Sequence, residues 1–132
     1  MTTAAIIVAA GRGTRAGGDM PKQWQNLAGR RVIDHTVDTF AGLSELDYIV
    51  LVLHPDDIGL YPATDRISVV TGGETRAQSV LSGLESLADS GVQAVLIHDV
   101  ARCCTKPGHI LYVLNSLQSG TEQAVAPALT IT

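Results

Sequence analysis

The sequence predicts a single α/β domain in which a mainly parallel sheet carries helices on both faces. Apolar, β-branched runs alternate along the chain with segments that have the period of a helix. The runs are nearly continuous rather than strictly alternating, which is typical of strands covered on both faces. The 132 residues show no repeat, linker or low-complexity stretch and suffice for one core. Strand–helix alternation with right-handed crossovers indicates a Rossmann-like sheet.

Five predicted strands follow one another at residues 4–10, 48–54, 67–71, 94–100 and 124–129. The first predicted helix has an apolar face made of Val32, Ile33, Thr36, Val37 and Phe40. The face of the second is made of Ala77, Val80, Leu81, Leu84, Leu87 and Ala88. The face of the third is made of Ile110, Leu111, Val113, Leu114 and Leu117, with Pro107 in its first turn. Residues 55–61 are predicted to form a single helical turn.

Composition and charge exclude several classes of protein. With 45% hydrophobic and 17% charged residues, the chain is typical of a globular protein. Its net charge of -4 argues against a protein that coats nucleic acid. The adjacent Cys103 and Cys104 give neither a disulfide framework nor the ligand spacing of a zinc site. The first apolar run is too short to span a membrane and carries no cationic leader, so a cytoplasmic location is expected.

A polar cluster follows each of the first four predicted strands. These clusters read GRGTRAGGDMPK, HPDD, GGETR and HDVAR. Because ligands of open parallel sheets bind beyond the carboxyl ends of the strands, we expect the four clusters to form one composite site at one edge.

The first cluster has the composition of a polyanion-binding loop. Gly11 and Gly13 permit a positive φ and a close approach of backbone N–H groups to phosphate. Arg12, Arg15 and Lys22 are able to supply charge-assisted bonds to phosphate oxygens. A flexible connection with solvated arginines is the alternative, because glycine-rich loops are common.

Two better-known phosphate-binding motifs do not fit the first cluster. The dinucleotide fingerprint requires a third Gly leading into a helix, and Ala16 stands at that position. A dinucleotide enzyme also requires an acidic residue at the end of the second strand, where this chain has His54 and Pro55 before Asp56. The Gly-Lys-Ser/Thr ending of a P-loop is absent as well.

The motifs AAGRGTR…PKQW, GGETRAQSVLSGL and HDVAR, in this order and spacing, resemble 2-C-methyl-D-erythritol 4-phosphate cytidylyltransferases. The resemblance extends from Ala4 to the last residue. It implies a nucleotidyltransferase that joins CTP and methylerythritol phosphate into 4-diphosphocytidyl-2-C-methyl-D-erythritol and pyrophosphate, in non-mevalonate isoprenoid biosynthesis. It also implies a divalent cation, Mg2+, and a homodimer. Ribitol-phosphate cytidylyltransferases differ at the positions of Ala77 to Val80.

The resemblance also implies a role for individual residues. Those matched to CTP binding are Ala9, Ala10, Gly11, Gly13, Lys22, Gly73, Glu74 and Ser79. Arg15 and Lys22 match the two cations that stabilise the transition state, where negative charge builds up on the α-phosphate and the leaving pyrophosphate. Asp99 and Arg102 match positions that face methylerythritol phosphate. Asp99 also matches the region where the phosphate and the metal bind.

Simpler roles are open for several of these residues. Thr75 and Gln78 form the pattern of a capping box, so this stretch would also start a helix. Ser79 would otherwise be a solvated helix residue, and Asp99 would cap the next helix or pair with Arg102. His98 is expected to be a hydrogen-bonded core histidine rather than a catalytic base.

Three departures from the family pattern qualify the resemblance. Glu74 stands where many relatives have Asp, and Cys103-Cys104 replaces a usual Pro after Arg102. The chain also ends after the fifth predicted strand. We therefore expect the single domain 1–132 to be the CTP-binding portion, without the substrate-binding and dimerisation part. A cytidylyltransferase for another polyol phosphate, such as ribitol 5-phosphate, and an inactive CTP-binding fragment are the alternatives.

Overall fold

A computed structural model describes residues 1–12 and 20–129 of the chain. In chain order the strands and helices are β1 (Thr3–Ala9), β2 (Asn26–Leu27), β3 (Arg30–Arg31), α1 (Val32–Ala41), β4 (Tyr48–Leu53), β5 (Ile67–Thr71), α2 (Arg76–Ser86), β6 (Ala94–Asp99) and α3 (Pro107–Ser119). Two short 3-10 helices cover Lys22–Trp24 and Pro55–Leu60. None of the described helices is long and apolar enough to cross a membrane.

Four of the strands form a parallel sheet in the order β5-β4-β1-β6, and β2 and β3 form a separate antiparallel hairpin. The register pairs Ala9 with Leu53, Leu53 with Thr71, and Val8 with Asp99. The carboxyl ends of the four strands therefore lie along one edge. This confirms the prediction that the polar clusters after the strands gather at the same edge.

Successive side chains of β1 point to opposite faces of the sheet and belong to two different apolar layers. Ala5, Ile7 and Ala9 belong to the core cluster that contains residues of α1 and α3. Ile6 belongs to a second cluster, on the face that packs against α2. The α/β fold with helices on both faces is confirmed, and so is the core face of α1, of which every predicted residue is buried. Pro107 occupies the first turn of α3, as predicted.

The predicted core face of α2 is only partly right: Leu87 packs against the second cluster and Val80 is half-buried, but the other four predicted residues are exposed. Leu81 and Leu84 are 53% and 40% exposed, whereas Ser79 and Gly83 are buried. The reason is the close approach of the helix to the sheet. A Cβ added to Gly83 would lie 2.8 Å from Cγ2 of Ile6, so only a small residue fits between helix and strand. The helix is therefore rotated so that its small residues face the sheet and its leucines face outward.

The fifth predicted strand is also wrong. Residues 124–129 form neither strand nor helix, and Val125 and Leu129 are 37% and 94% exposed. Pro127 has no backbone N–H to donate to a neighbouring strand, and alanine contributes little to strand stability. The apolar composition of this segment therefore did not indicate a strand.

Candidate functional site

A cavity of about 380 Å³ lies at the carboxyl edge of the sheet. Its walls come from the residues that follow β1, β5 and β6 and from the turn at Lys22. The strand order changes direction between β1 and β6, and open α/β sheets bind ligands at such a switch point. The cavity therefore occupies the position where this fold is expected to hold a ligand.

Most of the predicted site residues line this one cavity. They are Ala9, Ala10, Gly11, Lys22, Gly73, Glu74, Ser79 and Asp99. Arg102 instead lines a neighbouring cavity of about 390 Å³, which also involves Asp99. Gly13 and Arg15 lie outside the described residues.

Gly11 lies at the exit of β1, and it does not use the positive φ that glycine permits. Its φ is not positive; among the described residues only Ala28, Gly29 and Gly91 have a positive φ. A Cβ added to Gly11 would have no heavy atom within 4 Å. Among the described residues, neither the conformation nor the packing requires glycine at this position.

The exit of β1 is held by Gln23, a residue that the sequence patterns did not single out. Its Nε2 donates to the carbonyl oxygen of Ala9 at 3.0 Å and to that of Gly11 at 2.9 Å. Gln23 is 5% exposed. In a planar trans peptide the N–H points opposite to the C=O, so the side chain also fixes the direction of the following N–H groups.

Arg12 points to the exit of β4 rather than to the cavity. Its guanidinium donates two hydrogen bonds to the carboxylate of Asp57, at 3.0 and 3.2 Å. Asp57 is 5% exposed and also accepts a hydrogen bond from Nε1 of Trp24 at 2.9 Å. The HPDD cluster thus contacts the first loop without lining the cavity. Nothing in the sequence around either residue indicates that Arg12 contacts Asp57.

The exit of β5 brings two predicted residues together. Oγ of Ser79 accepts a hydrogen bond from the backbone N–H of Gly73 at 3.2 Å, and Ser79 is 1% exposed. Its interpretation as a solvated helix residue is therefore wrong. A Cβ on Gly72 would lie 2.6 Å from Cβ of Ala10 and 2.7 Å from Oγ of Ser79, so glycine is needed for the exits of β1 and β5 to meet.

The capping box at the start of α2 is confirmed. Oγ1 of Thr75 accepts from the N–H of Gln78, and Oε1 of Gln78 accepts from the N–H groups of Glu74 and Thr75. A Cβ on Gly73 would lie 2.4 Å from Cβ of Gln78. The cap therefore fixes the backbone that forms one wall of the cavity.

Asp99 pairs mainly with Arg76. Nε of Arg76 donates to Oδ1 of Asp99 at 2.9 Å, whereas Nε of Arg102 lies 4.0 Å from Oδ2. Asp99 does not cap α3, whose N-cap residue is Lys106. Arg76 and Asp99 line both cavities, so their ion pair stands between them. Sequence reasoning missed Arg76, although it lies within the GGETR motif.

His98 is hydrogen-bonded as expected, but it is half-buried rather than part of the core and lines the neighbouring cavity. Its Nε2 donates to the carbonyl oxygen of Arg102 at 3.1 Å, and its ring packs at 4.9 Å from that of Phe40. Burial lowers the pKa of His98, so the ring is neutral at pH 7. This histidine supports the turn that carries Arg102.

The thiols of Cys103 and Cys104 lie on the same turn and are free, with 3.8 Å between their sulfur atoms. Burial raises the pKa of Cys103, which keeps the group as a thiol rather than a nucleophilic thiolate at neutral pH.

The described residues provide no cluster of three or more His, Cys, Asp or Glu side chains able to hold a metal ion. Asp99 contributes one carboxylate, which already contacts Arg76. Mg2+ commonly binds through one or two carboxylates together with substrate phosphates. The donor set of the described residues therefore fits a cation that arrives with a polyphosphate.

Comparisons with known proteins agree in one family. A sequence model of IspD, 2-C-methyl-D-erythritol 4-phosphate cytidylyltransferase, matches residues 3–132. The bifunctional enzyme IspD/IspF of Ruegeria pomeroyi is 52% identical over 134 residues, which cover 100% of this chain and 35% of that protein. The 2-C-methyl-D-erythritol 4-phosphate cytidylyltransferase of Cereibacter sphaeroides is 48% identical over 136 residues, covering 99% and 60%.

A solved structure shows the same fold. The crystal structure of Francisella tularensis 2-C-methyl-D-erythritol 4-phosphate cytidylyltransferase superposes with a TM-score of 0.75 at 31% identity, covering 92% of this chain and 54% of that one. The chain thus spans between 35% and 60% of the length of the two curated relatives described above.

Proposed function

The chain belongs to the 2-C-methyl-D-erythritol 4-phosphate cytidylyltransferase family, and on that premise we propose that it forms the CTP-binding part of an enzyme that transfers CMP from CTP to methylerythritol phosphate. The products are 4-diphosphocytidyl-2-C-methyl-D-erythritol and pyrophosphate. The observation that supports this proposal is the convergence of residues from three strand exits on one cavity at the switch point of the sheet.

The proposed reaction forms one P–O bond and breaks another. A phosphate oxygen of the acceptor attacks the α-phosphorus of CTP, and the bond from that phosphorus to the oxygen bridging the β-phosphorus breaks. Pyrophosphate leaves with the electron pair. The acceptor phosphate is ionised at neutral pH, so no general base is required. Negative charge grows at the α-phosphate and the leaving group, where fixed cations have their largest effect.

Lys22 is the described cation proposed to meet this charge, with Arg15 as the second. Lys22 lines the cavity, and none of the carboxylates in residues 1–12 and 20–129 forms a salt bridge with it. This supports a role for its ammonium group toward a phosphate. The absence of a side chain at Gly11 would let the triphosphate approach the backbone closely.

The cytidine end of CTP is assigned to the opposite wall. Gly73, Glu74 and Ser79 lie together there, and the contact between Ser79 and Gly73 fixes their backbone. Asp99 and Arg102 are assigned to the acceptor side, because Arg102 lines the neighbouring cavity and Asp99 lines both.

A divalent cation belongs to the proposal, with Mg2+ as the expected ion. When bound with the nucleotide it would neutralise charge on the phosphates, and Asp99 is the described carboxylate that would contact it. A cytoplasmic location is proposed as well, since free thiols such as those of Cys103 and Cys104 fit a reducing compartment.

Amide chemical shifts of the 132-residue chain test this proposal. Addition of CTP with Mg2+ is expected to shift the amides of Gly11, Lys22, Gly73 and Asp99 together and to leave the hairpin of β2 and β3 unchanged. Methylerythritol phosphate, added next, is expected to shift the amides around Arg102, and ribitol 5-phosphate to shift them less. CTP-induced shifts that avoid the three strand exits would contradict the proposed site. Equal responses to the two polyol phosphates would contradict the proposed acceptor.

A further inference from the structure

One ion pair, between a guanidinium that is 39% exposed and a buried carboxylate, connects the exits of β1 and β4. Arg12 and Asp57 meet through two parallel N–H···O bonds of 3.0 and 3.2 Å. Such bidentate pairs combine geometric specificity with charge-assisted bonds. Asp57 is 5% exposed, so little water competes for its oxygens. The two residues are 45 positions apart in the sequence, and their contact connects the start of the loop to the 3-10 helix that follows β4.

The same carboxylate also fixes the turn that carries Lys22. Oδ2 of Asp57 accepts from Nε1 of Trp24, the last residue of the 3-10 helix Lys22–Trp24. The middle residue of that helix is Gln23, whose amide binds two carbonyl groups at the exit of β1. Asp57 therefore holds both the start of the loop and the turn at its end.

The other contacts given for the guanidinium of Arg12 also lie at the β4 exit. Besides its bonds to Asp57, Nη2 donates to Nδ1 of His54 at 2.6 Å and lies 3.6 Å from Oδ2 of Asp56. Arg12 is not among the residues that line the cavity. The guanidinium is therefore directed to the β4 exit rather than to the cavity, which favours a role through the backbone that it positions.

We propose that Arg12 and Asp57 are positioning residues: their ion pair holds the exit of β1 and the Lys22 turn in the arrangement that receives a triphosphate. The pair thereby sets the preference of the cavity for CTP over cytidine. This inference rests on the proposed function, because it concerns the phosphate end of the same site.

The substitution Asp57→Asn distinguishes this positioning role from direct phosphate binding, because the two roles predict opposite changes in CTP affinity. If Arg12 were a phosphate ligand restrained by Asp57, the substitution would release a cation and tighten CTP binding. If the pair positions the loop, the substitution weakens CTP binding although the site becomes more positive. The amide at position 57 still accepts from Trp24, so that packing contact is kept.

The experiment is calorimetric titration of CTP and of cytidine into the 132-residue chain and its variants. Asp56→Asn is the matched control, because it removes the same charge near Arg12 from a side chain that is 82% exposed and lies 3.6 Å from the guanidinium, too far for a hydrogen bond. Asp57→Asn is expected to weaken CTP binding by about tenfold and to leave cytidine binding unchanged. Asp56→Asn is expected to change neither. Tighter CTP binding by Asp57→Asn, or equal losses for CTP and cytidine, would overturn the inference.

A second variant keeps the test decisive if Asp57→Asn does not fold. Arg12→Lys preserves the charge but not the fork of two donors, so it too is expected to weaken CTP binding selectively. Unchanged CTP binding in a folded Arg12→Lys protein would overturn the inference. A cooperative urea transition establishes folding in each case.

Hydrogen exchange without nucleotide distinguishes a failure of this inference from a failure of the proposed function. The amides of residues 10–12 are expected to exchange faster in Asp57→Asn than in Asp56→Asn. Equal exchange rates would refute the positioning role by themselves. Absence of CTP binding by the wild-type chain would instead refute the proposed function, and with it the preference for CTP that is assigned to the pair.

Discussion

Nε of Arg76 donates a hydrogen bond to Oδ1 of Asp99 at 2.9 Å, and this contact joins the first turn of α2 to the end of β6. Both residues line the candidate nucleotide cavity and its neighbour. The guanidinium therefore offsets the negative charge that Asp99 would otherwise present to a polyphosphate.

Arg76→Met is expected to weaken CTP binding by up to about fivefold when divalent cations are chelated, which corresponds to about 1 kcal/mol for an exposed ion pair. With Mg2+ the loss is expected to be smaller, since the cation that accompanies the nucleotide offsets the charge of Asp99. Calorimetry with and without Mg2+ measures both values. Arg30→Met, at an exposed pair with Asp38 outside the cavity, is the control. A loss of the same size under both conditions would refute this account of the pair.

Gly11→Ala is expected to weaken CTP binding without lowering the stability of the fold. A Cβ at this position meets no described atom within 4 Å, so the free energy of unfolding should stay the same or rise by about 0.4–1 kcal/mol. CTP binding should weaken by about tenfold or more, because the methyl group occupies the space assigned to the triphosphate. Gly59→Ala, which is equally unobstructed but outside the cavity, should leave CTP binding unchanged. Wild-type affinity in Gly11→Ala would show that the triphosphate does not approach there.

Gly72→Ala is expected to destabilise the fold by about 1–3 kcal/mol, the usual cost of overpacking. The added Cβ would lie 2.6 Å from Cβ of Ala10 and 3.1 Å from Cγ1 of Val52, and neither neighbour has a flexible end to move aside. Urea unfolding of this variant beside Gly59→Ala measures the difference. Equal midpoints for the two variants would mean that the exits of β1 and β5 are not packed as described.

The stability of the chain is expected to fall as the pH drops below 6.5, the ordinary pKa of histidine, because of His98. Burial lowers its pKa in the folded state, so below that pH the unfolded chain binds a proton that the folded protein does not, and unfolding is favoured. The loss stops growing once the pH falls below the lowered pKa. His98→Gln, which still offers an N–H to the carbonyl of Arg102, should lack this component. Urea unfolding at about pH 8 and about pH 5.5 measures it; equal losses in both proteins would exclude His98 as its source.

The sheet and most of the candidate site were predictable because their signals are local. Continuous apolar runs indicated the four parallel strands, and the rule for strand ends placed their polar clusters at one edge. The capping box of Thr75 and Gln78 was readable from two residues three positions apart. Each of these features depends on neighbours in the sequence.

The features that escaped prediction depend on contacts between distant residues. The rotation of α2 follows from the contact of Gly83 with Ile6, and the burial of Ser79 follows from that rotation. Nothing in either segment of sequence indicates that Arg12 contacts Asp57. The strand predicted at residues 124–129 failed for a local reason. The composition of this segment suggested a strand, but Pro127 disfavours one.

The central claim is that the edge of this sheet is a cytidine triphosphate site. Calorimetric titration of the 132-residue chain with CTP, ATP and GTP in the presence of Mg2+ tests it most directly. CTP is expected to bind, and ATP and GTP are expected to bind at least about tenfold more weakly. Equal binding of the three nucleotides, or no binding of CTP, would contradict it.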